Sequence, residues 1–214
     1  MKEMMSELKI SLAKEDMLRR IFLIEISDEN FAEILKISND FDEISKNHKL
    51  LSDIKNTINT KNTDETRYEY NRLFVGPRRP KAVPYESTYF DYKNMFGTQT
   101  MDVRAYYQSV GLKIDSELFD KIPDDHIGYE FQFLYYLSYL ALDKLSQNEL
   151  DAVYEILELK AEFINAHPSK WFDKFTQAIT NESSFEIFCS LASFLNKYLQ
   201  NEINKLKKIL AKNK

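Results

Sequence analysis

Cysteine, glycine and proline are scarce in this chain of 214 residues, which holds one Cys, 4 Gly and 5 Pro. With Cys189 alone, no intramolecular disulfide can form, so the fold must stand without covalent cross-links. Four glycines are too few for a hairpin-rich β fold, whose tight turns consume them, and no Gly-rich phosphate loop is present. Surplus positive charge is also missing. The net charge of −5 has the wrong sign for generic binding of nucleic acid or of an anionic membrane surface. No apolar run reaches the ~18 residues needed to span a bilayer, and the longest uncharged stretch, Phe131 to Leu142, falls well short. The opening residues, Met1-Lys-Glu-Met-Met-Ser-Glu, carry no apolar signal core, so a cytoplasmic location is expected.

What the chain has in plenty is aromatic surface: 15 Phe, 13 Tyr and one Trp, within a hydrophobic fraction of 43%. That much ring area demands a core or a groove to cover it. Few turn residues and many Leu, Ile, Lys, Glu and Ala predict an all-α fold. A single domain over 1–214, a bundle of roughly eight to ten helices, fits the length and the apolar periodicity.

Apolar spacing places the helices. A first one runs to about Ile26 with Ile10, Met17, Ile21 and Ile24 on one face. A second, capped by Asp28, holds Phe31, Ile34 and Leu35, and a third spans Asp42 to Ile58 with Ile44, Leu51 and Ile54 in register. The polar stretch Asn56 to Asp64 reads as a loop. A helix from Thr63 or Asp64 through Tyr70 and Phe74 is stopped by Gly76-Pro77. Pro77, Pro80 and Pro84 crowd the next eight residues. Helical pattern resumes over Glu86 to Phe96 and Met101 to Val110, ending at Gly111. After a loop to Pro123, Asp124 or Asp125 is expected to cap a helix to about Leu145. That helix is apolar nearly all round, so it belongs at the centre of a bundle. Glu149 to Asn165 forms another, broken by His167-Pro168. Pro168 opens the next through Trp171, Phe172 and Phe175. The last carries Phe188, Ala192, Leu195, Leu199, Ile203, Leu206 and Leu210.

Three constellations invite chemistry. Around the prolines, Tyr70 to Pro77 and Pro84-Tyr85-Glu86-Ser87-Thr88-Tyr89 read either as a plain connector or as a stiff recognition rim that loses little entropy on binding. In Pro123-Asp124-Asp125-His126, with Glu130 one turn on, at least one aspartate serves helix capping. The remaining carboxylates suit an arginine-bearing ligand. A metal centre lacks ligands there, because His48 and His167 lie in other elements. A His126–Glu130 acid–base pair for hydrolysis lacks a nucleophile motif. Leu18-Arg19-Arg20-Ile21-Phe22-Leu23 looks like a twin-arginine export motif but continues into Glu25 and Asp28. It reads as a charge pair on an amphipathic helix. Trp171 and Cys189 read as core.

Together these segments resemble the TorD/DmsD family of redox-enzyme maturation chaperones, which has NarJ-like relatives. The resemblance rests on Leu73-Phe74-Val75-Gly76-Pro77, then Tyr85-Glu86-Ser87-Thr88-Tyr89 and the turn from Tyr107 to Gly111-Leu112. It continues in Pro123-Asp124-Asp125-His126-Ile127-Gly128-Tyr129-Glu130 with Phe133 and Leu137. Phe163, His167 and Trp171, and then Phe188-Cys189-Ser190-Leu191-Ala192, complete it. It runs in order from about Arg67 to Leu199. Gly128 costs about 1 kcal/mol of helix stability against Ala, which predicts a mobile helix start.

The resemblance implies an all-helical chaperone, without cofactor or catalytic activity. It would bind the twin-arginine signal peptide of a molybdoenzyme precursor until cofactor insertion. The binding residues it implies are Phe74, Gly76, Pro77, Tyr85, Glu86, Tyr89, Asp125, His126 and Glu130, with aromatics taking the apolar stretch and Glu86, Asp125 and Glu130 facing the arginines. A NarJ-like factor docking on a non-exported reductase subunit is the alternative. A monomer or a domain-swapped dimer, hinged at Asn56–Asp64 or at the Pro-rich loop, is expected.

Overall fold

The computed structural model describes residues 1–41, 49–90, 97–113 and 122–213. Among these residues nine α-helices form an all-α domain with no β-strand. In chain order they are α1 (Lys2–Leu23), α2 (Asp28–Asn39), α3 (Lys49–Asn59), α4 (Thr63–Tyr70), α5 (Thr98–Ser109), α6 (Ile127–Ser146), α7 (Leu150–Ala166), α8 (Pro168–Glu182) and α9 (Glu186–Leu210). The expected starts of the third helix (Asp42, Ile44) and the expected end of the Glu86–Phe96 helix lie outside the described residues, as does most of the loop before Pro123.

The apolar helix α6 takes the central place that its composition predicts, lying along α1 and α7. Phe131, Phe133, Leu134 and Leu137 are completely buried. Short connections then fold α8 and α9 back on the bundle, α9 also touching α3 and α7. Trp171, Phe172 and Phe175 of α8 enter the core from one face. Among the described residues no helix is long and apolar enough to cross a membrane.

Sequence spacing could not find an ionic cluster inside this bundle. Lys160 of α7 is fully buried and donates to Glu15 of α1 (2.6 Å), Glu202 of α9 (2.6 Å) and Ser138 of α6 (2.7 Å). Tyr198 donates to Glu15 (2.7 Å), and Lys205 adds a second cation to Glu202. Lys160 and Lys205 hold Glu202 near pKa 2 against the opposing effect of its burial, whereas burial raises Glu15. Three helices are pinned in register by charges 42 to 145 residues apart in sequence, and the Ser138 hydroxyl ties in α6.

Several local expectations need correction. Helix α1 ends at Leu23, so Ile24 leaves its face on extended backbone and is 41% exposed, while Ile26 is buried instead. Ser27 rather than Asp28 caps α2, accepting from Asn30 N–H; Asp28 instead accepts from the Thr63 hydroxyl. Helix α3 runs on to Asn59, so the polar loop shrinks to residues 60–62, with Lys61 in the left-handed region. The segment from Glu86 is a single 3-10 turn to Tyr89. Cys189 is half-buried rather than core. Arg19 is more than a solvated charge, since it stacks 4.4 Å over the Tyr135 ring and donates to Gln132.

Candidate functional site

The Pro-rich loop is built into the bundle at both ends. Helix α4 widens into a π turn over Asn71–Val75, closed by Gly76 N–H donating to Asn71 C=O at 2.8 Å. Such turns interrupt a regular helix and re-aim its side chains. Here Phe74 points into a ring cluster with Phe22, Tyr70, Phe175 and Phe188. Gly76 has φ +123°, and a Cβ there would stand 2.7 Å from the Arg78 carbonyl oxygen, so only glycine makes this corner. Ala82 N–H then returns to Leu73 C=O (2.8 Å), and the Tyr89 hydroxyl donates to Val83 C=O (2.9 Å).

The far end of the loop pairs with the start of α6. Ile127 N–H donates to Pro84 C=O and Glu86 N–H to Asp125 C=O, an isolated antiparallel bridge centred on Tyr85 and His126. His126, not an aspartate, caps α6: its Nδ1 accepts Gly128 N–H at 3.1 Å, which leaves the ring proton on Nε2. Burial pulls its pKa down to about 3, so the imidazole is neutral. Asp125 is committed elsewhere. Its two oxygens accept Ser87 N–H (2.7 Å) and the Thr100 hydroxyl of α5 (3.0 Å).

Behind this bridge lies a buried acidic layer. Glu86 Oε2 meets Nδ1 of His167, in the break between α7 and α8, at 2.8 Å. Glu130 accepts from the Trp171 indole (3.3 Å), and its second oxygen has no hydrogen-bond partner among the described residues. Burial raises Glu86 against the lowering pull of His167, and burial pushes Glu130 well above the carboxylate range, with the charges of Glu86 and Asp125 adding to its rise. Exposure is 1% for Glu86 and zero for Asp125 and Glu130. None of the three presents an open acid to a ligand in this conformation; all are spent on holding the loop, α5, α6 and α8 together. His126 and Glu130 do not pair as acid and base either, because one caps a helix and the other faces Trp171.

In front of the bridge, on the outer side, is a cavity of about 610 Å³. Phe22 and Leu23 line it from the end of α1 and Glu25 from just beyond it, Tyr70, Phe74 and Val75 from α4 and its π turn, and Arg79, Pro80, Val83, Tyr85 and Thr88 from the loop, with Ile122 and His126 closing it. Of the nine residues expected to bind, Phe74, Tyr85 and His126 line this cavity. Gly76 and Pro77 make the turn between the lining residues Val75 and Arg79 without lining the cavity themselves, and Tyr89 packs on Trp171. Gly128 is not a loose point: a Cβ there would lie 2.5 Å from Leu23 Cδ2, so its bareness lets α1 approach the start of α6. Sequence reading missed the contribution of α1 altogether. Leu23 closes the stretch Leu18 to Leu23 and Glu25 follows it, and that stretch reads as a charge pair on an amphipathic helix rather than as a binding element. Among the described residues no group of three or more His, Cys, Asp or Glu side chains is placed to hold a metal ion.

Comparison with known proteins places these features in a family. The description "nitrate reductase delta subunit" belongs to the family that matches residues 41–177. Chaperone protein TorD of Aliivibrio fischeri is 23% identical over 140 residues, 65% of this chain. The match spans 63% of that relative's length. A solved structure from Archaeoglobus fulgidus, named for redox enzyme maturation, shares the fold with a TM-score of 0.59 at 18% identity, covering 92% of this chain and 94% of that one.

Proposed function

The chain belongs to the nitrate reductase delta subunit family, that of the TorD- and NarJ-like maturation chaperones, and from that membership we propose that it binds the twin-arginine signal peptide of a redox-enzyme precursor in the cytoplasm until the cofactor is in place. The observation that carries this reading is the 610 Å³ cavity walled by Phe22, Leu23, Phe74, Val83 and Tyr85. Its wall is held by backbone bonds at both ends, so little ordering entropy is lost when a peptide enters. The buried layer of Glu86, Asp125, Glu130 and His167 serves as the frame of that wall rather than as the contact for arginines.

Four apolar side chains entering the cavity gain roughly 6–12 kcal/mol gross, at about 1.5–3 kcal/mol each. Ordering a disordered peptide takes back about 2–5 kcal/mol, and rigid-body association takes back more. At the favourable ends of these ranges about 6 kcal/mol remains, a dissociation constant of tens of micromolar, weak enough for release of the client. Calorimetric titration with twin-arginine signal peptides, and with versions carrying lysine or glutamine in place of the arginines, tests the proposal. Micromolar binding that weakens without the arginines supports it. Equal binding of arginine-free peptides would point instead to a client subunit that is not exported.

A further inference from the structure

The mouth of the cavity carries opposite charges at its two ends. At one end Glu25, with a side chain 74% exposed, shares the Arg67 guanidinium with Asp64 (3.6 and 2.7 Å). Asp28 is close by, bonded to Thr63 at the start of α4. Two carboxylates thus share one cation, leaving acceptor capacity for a second guanidinium. At the other end, beyond the π turn, the loop presents Arg78, Arg79 and Lys81, all exposed, and Arg79 lines the cavity itself. Helix α4 runs along the cavity between these ends. From Arg67 to Val75 is about 12 Å at 1.5 Å per residue, which an extended peptide covers in about four residues.

Resting on the reading of the cavity as a signal-peptide site, we infer that these charges set the direction of the bound peptide. A cationic residue docks at Glu25, about four apolar residues fill the cavity, and an acidic group following them is met by Arg79. The loop's cations Arg78, Arg79 and Lys81 stand at the rim where the apolar run leaves the cavity, so a peptide with further arginines there binds more weakly. This assigns Glu25 and Arg79, rather than the buried acids, as the residues that read charge.

The test is a set of three fluorescently labelled peptides, each with two arginines and an apolar run, differing only in a Glu, Gln or Lys placed after the run. Anisotropy titrations at low ionic strength should rank them Glu, Gln, Lys for the unmodified protein, with about two- to five-fold between steps, the range for solvent-exposed pairs. Arg79→Glu should invert the ranking. Glu25→Lys should weaken all three by a similar factor and leave the order unchanged. Both positions are exposed, and thermal melts confirm that the variants fold. Three peptides that bind equally, or an order that Arg79→Glu leaves intact, would overturn the polarity while leaving the cavity as the site. Absence of binding by any peptide would instead remove the signal-peptide reading and the polarity with it.

Discussion

Asp125 separates two accounts of the acidic notch, one in which it grips the ligand's arginines and one in which it frames the wall of the cavity. It is completely buried, and it accepts two hydrogen bonds, from Ser87 N–H in the loop and the Thr100 hydroxyl in α5. Hydrogen bonds to a charged group contribute about 1.5–3 kcal/mol each. Asp125→Ala removes both and strands a buried backbone donor, so its expected cost is about 3–5 kcal/mol. In a domain of this size each kcal/mol moves the melting temperature by about 2–4 °C, giving a drop of about 6–20 °C. Asp125→Asn keeps the shape. Its oxygen still accepts from Ser87, and its amide can donate to the Thr100 oxygen, so only the charge is lost, for about 1 kcal/mol or less. Calorimetric melts alongside peptide titrations read the series. The frame predicts that Ala lowers both stability and affinity for every peptide, arginine-bearing or not, while Asn leaves both nearly intact. An Ala variant that melts with the unmodified protein yet loses only the arginine-dependent part of binding would refute the frame.

Three further outcomes follow from the same geometry. Glu130 has a folded-state pKa raised by burial. Its contribution is complete below the unfolded carboxylate pKa and is lost as pH rises through the folded value. Glu130→Gln, which keeps the Trp171 bond without the charge, should therefore melt higher than the unmodified protein by a margin that widens with pH; a pH-independent margin contradicts this. Gly128→Ala should destabilise by about 1–3 kcal/mol through the clash with Leu23, outweighing the ~1 kcal/mol that alanine gains in a helix. Combining it with Leu23→Ala should cost less than the sum of the two, and strict additivity would show that the contact is absent. Lys160→Met should cost about 3–5 kcal/mol by leaving Glu15 and Glu202 facing each other in the core, measured as a fall in chemical-denaturation midpoint.

The helices were largely legible because their signals are local. The 3.6-residue spacing of α9, the all-round apolarity of α6 and the Gly76-Pro77 stop each depend on neighbours in sequence. The buried pairs were not. Glu86–His167 joins residues 81 apart and Lys160–Glu15 residues 145 apart, so no spacing marks them. His126 illustrates the difficulty at the site itself. A histidine after two aspartates reads as a polar ligand group, and only the fold shows that its ring takes the capping role while Asp125 turns to Ser87 and Thr100. The motif residues come together in one region, but Glu86, Tyr89, Asp125 and Glu130 stand behind the cavity. Its front is supplied by Phe22 and Leu23 at the end of α1 and by Glu25 just beyond it, outside the stretch from Arg67 to Leu199 that carries the resemblance.

The central claim is that peptide enters the cavity between α1, α4 and the Pro-rich loop, and methyl NMR tests it most directly. With methyl-labelled Leu, Val and Ile, a twin-arginine signal peptide should shift Leu23, Val75, Val83 and Ile122 in a saturable titration, while the core methyls of Leu157, Leu195 and Leu206 stay in place. Saturable binding that leaves those four unmoved and shifts the helix faces of α8 and α9 instead would contradict it.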